Sequence, residues 1–264
     1  MNTLFQLNPL VIVALHLPPF LRGQRNDPVM LEDYLCRNLE VFSKGGVPAV
    51  ILQDETPMAG PAYPETIAMM ASLARLARRE FPQIHYGIIV EAHDPVAPLA
   101  VAAACSASFV RIKVFVGAML KSSGVLQGCG VEASTYRQIL GREDIAILAD
   151  VYDRSGFSIG AAPLERAERW AIQLGADSLI LTGGSFRESL DWLRSAREQG
   201  IQCPLILGGS ATARNVAEAL SVADGVIVSS ALKRQPAVAA DLVHWDLAKV
   251  KAFMECARKE QGPE

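Results

Sequence analysis

Short aliphatic runs alternate with longer amphipathic stretches along the whole chain. The runs are VIVALH at 11–16, VPAVILQ at 47–53, HYGIIV at 85–90, FVRIKV at 109–114, IAILAD at 145–150, SLILT at 178–182, PLILG at 204–208 and GVIVS at 225–229. Their nearly continuous, β-branched character suits parallel strands covered on both faces. Helical periodicity fills the intervals at 27–44, 63–81, 95–105, 132–140, 163–175, 187–199, 212–221 and 244–259. Gly45, Gly141, Gly175 and Gly200 follow four of these helices, where a left-handed residue ends a helix. Eight alternations in 264 residues leave about 33 residues per βα unit, which predicts a (β/α)₈ TIM barrel forming a single domain over residues 1–264. A doubly wound open sheet is the alternative, but no GxGxxG follows the first strand.

Composition narrows the function classes. Half the residues are hydrophobic, a fifth are charged, and 25 basic residues against 28 acidic ones give a net charge of −3. No Lys/Arg cluster stands out, so no nucleic-acid partner is expected. Cys36, Cys105, Cys129, Cys203 and Cys256 contain no CxxC pair, which predicts neither a disulfide framework nor a zinc ribbon, and a cytoplasmic location. The uncharged run from Thr3 to Leu21 is broken by Pro9, Pro18 and Pro19, and lacks a basic leader. A second, Pro95 to Val110, is shorter than the ~20 residues a bilayer requires, so no transmembrane segment is expected.

In a barrel, chemistry gathers where strands end. Those positions hold His16, Gln53 with Asp54, Glu91, Lys113, Asp150, Thr182 with Gly183, Gly208 to Ser210, and Ser229 with Ser230. The late loops GGSATARNV and SSALK suggest a phosphate cup, with Gly208, Gly209, Ser210, Ser229 and Ser230 as ligands and a helix opening after Thr212. The plainer reading is tight turns and a Thr212 cap. Arg111 and Lys113 share one face of strand four by period two, and an unpaired outward charge under the helices would be costly. Both are therefore expected inside the barrel, balanced by Glu91 and Asp150; Lys113 then serves as base or Schiff-base nucleophile, or the group is a structural ion-pair network. Arg111, Asp54, Thr182 and Gly183 are expected to bind substrate. His16, Asp54, Glu91 and Asp150 compose a conceivable mixed metal site, which is not the favoured reading, and no cofactor is specified. His16 is expected instead to be a hydrogen-bonding group or general acid. Asp94 before Pro95 reads as a helix cap. The Val116 to Gly130 connection, with four glycines, suggests a mobile lid.

The segment FVRIKVFVGAMLKSSGVLQGCGVEASTYRQILGREDIAILADV at 109–151, with LILTGG at 179–184, the stretch at 205–233 and VIVALHLPP at 11–19, resembles the BtpA/SgcQ family over most of the chain. The resemblance implies a TIM barrel akin to the ribulose-phosphate-binding group in a bacterial or archaeal cytoplasm. It also implies a link either to photosystem I biogenesis or to sugar-metabolism gene sets. The chain departs from the family pattern at Gln53–Asp54, at Glu91 to Asp94 and at Asp153–Arg154. Two functions are expected. One is an enzyme acting on a phosphorylated sugar, ribosyl or nucleoside-type molecule by isomerisation, aldol-type cleavage or glycosidic cleavage, with Lys113, Asp150, Glu91 and His16 as catalytic groups. The other is a non-catalytic ligand-sensing or assembly factor. Self-association is compatible with the sequence and not specified by it.

Overall fold

A computed structural model describes residues 2–19, 27–160, 162–235 and 241–258. The last residue of the 244–259 stretch, the end of the uncharged run at Leu21 and both ends of the 1–264 domain lie outside the described residues. The chain runs β1 (Leu10–His16), α1 (Pro28–Gly45), β2 (Ala49–Gln53), α2 (Pro64–Glu80), β3 (His85–Ile89), α3 (Ala97–Cys105) and β4 (Phe109–Ile112). It continues through β5 (Ala118–Lys121), β6 (Gly124–Gln127), α4 (Gly130–Ile139), β7 (Ala146–Asp150), β8 (Phe157–Ser158), α5 (Leu164–Gln173) and β9 (Ser178–Leu181). It ends with α6 (Phe186–Glu198), β10 (Leu205–Leu207), α7 (Val216–Leu220), β11 (Gly225–Val228) and α8 (Leu247–Arg258). The parallel strands close in the order β1-β11-β10-β9-β7-β4-β3-β2. Leu10 pairs with Gly225 and Val13 with Val228 where the last strand meets the first. All eight sequence-predicted strands are present, and the open-sheet alternative is excluded by this closure.

Two apolar sets explain the closure. Val11, Val13, Leu15, Val50, Leu52, Ile88, Val110 and Ile147 point outward into the core shared with the helices. The alternate residues, Leu10, Ile12, Ala14, Ile51, Ile89, Phe109, Leu148, Ile180, Ile206 and Ile227, fill the barrel interior. The interior is thus packed, and its lower end is stoppered by the single helical turn Thr3–Gln6. There Leu4 is fully buried and Asn2 Nδ2 donates to the carbonyls of Ser108 and Asp144 at 2.8 and 2.7 Å. A cavity of about 840 Å³ lies around that plug, against Asn2, Thr3, Phe5, Ser108 and Arg142; a separate one opens at the upper end, where the strands finish.

Four local expectations need correction. The first helix ends at Gly46, which is left-handed (φ 74°), whereas Gly45 is helical and is glycine because a Cβ there would lie 2.3 Å from Val250 Cγ1. Asp94 does accept from the amides of Val96 and Ala97 (2.8 and 2.9 Å), but α3 starts at Ala97, with Pro98 rather than Pro95 in its first turn. The stretch at 212–221 forms a helix only over Val216–Leu220, and Thr212 does not cap it: its amide donates to Asn215 Oδ1 at 2.7 Å. The Val116 to Gly130 connection is a built β-hairpin. β5 pairs antiparallel with β6 and β8, and Met119 and Leu126 are buried with Val114 beneath it.

Candidate functional site

Period two carries the interior face of each strand up to its last residue. It therefore aims His16, Gln53, Arg111, Lys113, Asp150, Thr182, Gly208 and Ser229 at one cavity of about 640 Å³ above Ala14 and Ile227. The loops beyond the strands add Asp153, Arg154, Gly209, Ser210, Ser230 and Lys233 to its wall. Glu91 stands beside it with Arg111 and Lys113. Asp54 and Gly183 are not among the lining residues. Asp54 is one residue past the inward-facing Gln53, so its buried carboxylate turns outward and accepts from the amides of Glu91 (2.6 Å) and Thr56 (3.1 Å). The Gly183 amide is used by Ser189 Oγ at 2.9 Å.

Most charges in the cavity are already matched. Arg111 Nε and Nη2 each donate to Asp150 at 2.8 Å, in a bidentate pair whose side chains are 12% and 1% exposed. Burial pushes the Asp150 carboxyl up, and the Arg111 guanidinium opposes that push. Lys113 Nζ donates to both Glu91 oxygens at 2.6 and 2.7 Å, and Gln53 Nε2 donates to Glu91 at 2.8 Å. The proposed metal set is therefore not assembled: three of its carboxylates are committed elsewhere, and no three His, Cys, Asp or Glu converge among the described residues.

His16 is differently placed. Its Nδ1–H donates to Glu55 Oε1 at 2.6 Å, and that bond holds the Glu55 carboxyl below its ordinary range. The partner on Nδ1 fixes the tautomer and leaves the Nε2 lone pair free when the ring is neutral. Tyr34 Oη steadies the segment by donating to the His16 carbonyl at 2.9 Å.

Lys121, on the hairpin, donates to Asp153 and to Ser155 Oγ. Burial opposes the Asp153 charge, but the bonds from Lys121 and from Ser155 outweigh it and hold the carboxyl at about 2. A carboxyl lowered on folding stabilises fully above its unfolded value near ~3.9, and that stabilisation is lost as pH falls through the folded value. Amide protection across 117–128, corrected for intrinsic exchange, should therefore fall as pH drops from about 4 to about 2. In Lys121→Met this pH dependence should vanish; an unchanged profile would remove the ion pair as the hairpin's anchor.

The late loops form the least satisfied part of the wall. Thr182 Oγ1 and Ser229 Oγ are buried without a hydrogen-bond partner among the described residues. Gly208 must be glycine, because a Cβ would lie 1.9 Å from Thr182 Oγ1, and a Cβ on Gly209 would lie 3.2 Å from Arg154 Nη2. Ser210 sits in the left-handed region at φ 65°, where Asn215 Nδ2 holds its carbonyl at 3.1 Å and Arg154 Nη1 donates to its hydroxyl at 3.3 Å. Such strain costs a non-glycine residue about 1 kcal/mol or more. Ser210→Gly should raise the unfolding free energy by up to about 1 kcal/mol in denaturant titration, and a loss of stability would show that the loop is not strained.

The sequence pattern thus located ten of its expected site residues on the cavity wall and Glu91 against it. It gave no role to Glu55, Asp153, Arg154 or Lys233. Lys233, inside the SSALK loop, and Asp153 with Arg154, where the chain departs from the family pattern, carry signals that point to them.

Fold and cavity together define an eight-stranded βα barrel whose polar groups gather at the C-terminal ends of the strands. The family model for the BtpA family matches residues 8–259, and the chain belongs to that family. It is 28% identical over 258 residues to the photosystem I biogenesis protein BtpA of Synechocystis, covering 95% of this chain and 88% of the relative. It is 27% identical over 223 residues to the sgc region protein SgcQ of Escherichia coli, covering 83% and 81%. Among solved structures, 3-hexulose-6-phosphate synthase from Salmonella typhimurium superimposes with a TM-score of 0.59 at 14% identity, covering 95% of this chain and 99% of that one. That likeness concerns the fold. Among the described residues, no helix is long and apolar enough to cross a membrane.

Proposed function

We propose that the cavity binds a small phosphorylated sugar or ribosyl compound, and that His16 moves a proton on it. The observation that carries this reading is the contrast in pairing state around the wall. Arg111 and Lys113 are neutralised by Asp150 and Glu91, whereas the late-loop side offers Arg154, the Gly209 backbone, and the Thr182 and Ser229 hydroxyls, which have no partner among the described residues. An anion with several acceptor oxygens satisfies that side. The hexulose phosphate in the synthase's name supports the same class of ligand on the same fold.

The chemistry follows from His16. Its Nε2 accepts a proton from the carbon next to a carbonyl, or from a hydroxyl, and the Glu55 carboxylate stabilises the imidazolium that forms. Lys113 Nζ gives two of its three N–H bonds to Glu91 and offers the third to oxygen that becomes anionic. The proton-moving role thus passes from Lys113, Asp150 and Glu91 to His16, because the other three are locked in ion pairs. In D₂O with a panel of ketose and aldose phosphates, NMR should show deuterium entering beside the carbonyl of at least one compound. His16→Asn should slow that exchange by about 10²–10⁴-fold; exchange at the wild-type rate would remove His16 from the chemistry.

A second reading, a docking or assembly role, is favoured by one feature. Val125, Leu120 and Phe157 form a paired row across β6, β5 and β8, and all three are exposed. The name of the Synechocystis relative points the same way. No exchange with any phosphorylated compound would favour it over the enzyme.

A further inference from the structure

We propose that Lys233 is the amine of this cavity that condenses with a phosphorylated aldehyde or ketone to form an imine. The inference rests on the phosphate-binding reading above and adds the reacting group. Two other lysines near the cavity are held by carboxylates: Lys113 by both oxygens of Glu91 and Lys121 by Asp153. An ammonium so held is stabilised against losing the proton that a nucleophile must lose. Lys233 lines the cavity and makes no ion pair among the described residues. Its Nζ lies 5.2 Å from the ring centroid of Trp245, which is fully buried.

Burial moves the Lys233 amine below the ordinary lysine range, with the Glu55 charge opposing. Glu55 is also the partner of His16, so base and amine share one carboxylate neighbour. The backbone that carries Lys233 is fixed on both sides. The Arg234 amide donates to the His244 carbonyl and the Asp246 amide to the Leu232 carbonyl, both at 2.9 Å, while Lys249 Nζ donates to the Lys233 carbonyl at 2.8 Å.

The step balances without an oxidant or reductant. The neutral Nζ donates its lone pair to the carbonyl carbon as the C=O π pair moves to oxygen. The nitrogen, now cationic, loses a proton to His16 Nε2 while the oxygen takes one from solvent, which gives a neutral carbinolamine and His16 imidazolium. The imidazolium returns its proton to the leaving hydroxyl, which departs as water as the nitrogen lone pair forms C=N, leaving a protonated iminium on Lys233. Neutral His16 then removes a proton from the neighbouring carbon, and the C–H pair flows into the iminium nitrogen.

Pyridoxal 5′-phosphate, a phosphorylated aldehyde, is the probe, with borohydride reduction to fix the adduct and peptide mass spectrometry to place it. Of the seven lysines in the chain, Lys233 should carry most of the label. Lys233→Arg and Lys233→Met should each lose that label while circular dichroism shows the fold retained; if either fails to fold, mapping on the wild-type chain decides alone. Label on Lys113, or spread evenly over the lysines, would overturn the proposal. 5′-Deoxypyridoxal, which lacks the phosphate and cannot close to a hemiacetal, should label at least about tenfold more slowly, the loss of one charge-assisted contact. Equal rates with Lys233 still labelled would leave the amine in place and remove the phosphate reading.

Discussion

Replacing Arg111 by alanine should lower the free energy of unfolding by about 3–5 kcal/mol, the usual consequence of stripping the partner from a buried charge. Asp150 sits at the end of β7 facing the barrel interior with 1% of its side chain exposed, and both its oxygens take their bonds from the one guanidinium. Without Arg111 the carboxylate is left charged in the interior or must take up a proton. Asp150→Ala should cost a similar amount for the mirrored reason. Arg111→Met with Asp150→Leu should recover most of the loss, since an apolar pair of similar volume avoids both desolvation costs. The sign of the pH dependence is fixed. A carboxyl raised on folding stabilises the native state at low pH and loses that contribution as pH rises, so the Arg111→Ala deficit should be smaller at about pH 5 than at about pH 8. Chemical denaturation of the four proteins checks this; a single variant as stable as the wild type would mean that the pair is not the closed unit its geometry describes.

The second large effect is expected on binding. Gly209→Asp puts a carboxylate where the backbone of the late loop is open and where a Cβ already lies 3.2 Å from Arg154 Nη2. The new charge pairs with Arg154 and repels an incoming phosphate, so affinity for a phosphorylated ligand should fall at least about a hundredfold, roughly 2.7 kcal/mol. Folding should survive, because the site is at the mouth and not in the packed interior. Isothermal titration with any compound that the wild-type chain binds measures the loss. Binding within a factor of about two would place the anion elsewhere.

The barrel was legible because its signal is repeated eight times, and the inward pairing of Arg111 with Asp150 was legible because period two leaves a strand charge only one tolerable face. The same rule, applied one residue further, separates residues that lie together at the strand ends. Gln53 and Thr182 face the cavity, whereas Asp54 accepts from backbone amides and the Gly183 amide donates to Ser189 Oγ. Strand ends are where the alternation stops, so a residue named only for being near one can point either way. Glu55 and Arg154 lie in loops beyond the strands, where no period links a residue to its partner. Their roles come from contacts 39 and 56 residues distant along the chain. The hairpin at 118–127 is not legible because its two four-residue strands are too short to show alternation above the background, and only the glycines stand out. The true start of α7 is hidden because the preceding Gly208 to Asn215 loop contains residues that a helix also accepts.

The claim on which the rest depends is that the upper cavity recognises a phosphate carried by a small molecule. Thermal unfolding against matched pairs, each sugar or ribosyl compound with and without its phosphate, tests it most directly. A ligand bound only by the native state at a hundredfold excess over its Kd adds about 2.7 kcal/mol of stability. The account predicts stabilisation by at least one phosphorylated member, none by its unphosphorylated partner, and loss of the effect in Gly209→Asp. Equal stabilisation by both members of a pair, or a shift that survives Gly209→Asp, would contradict it.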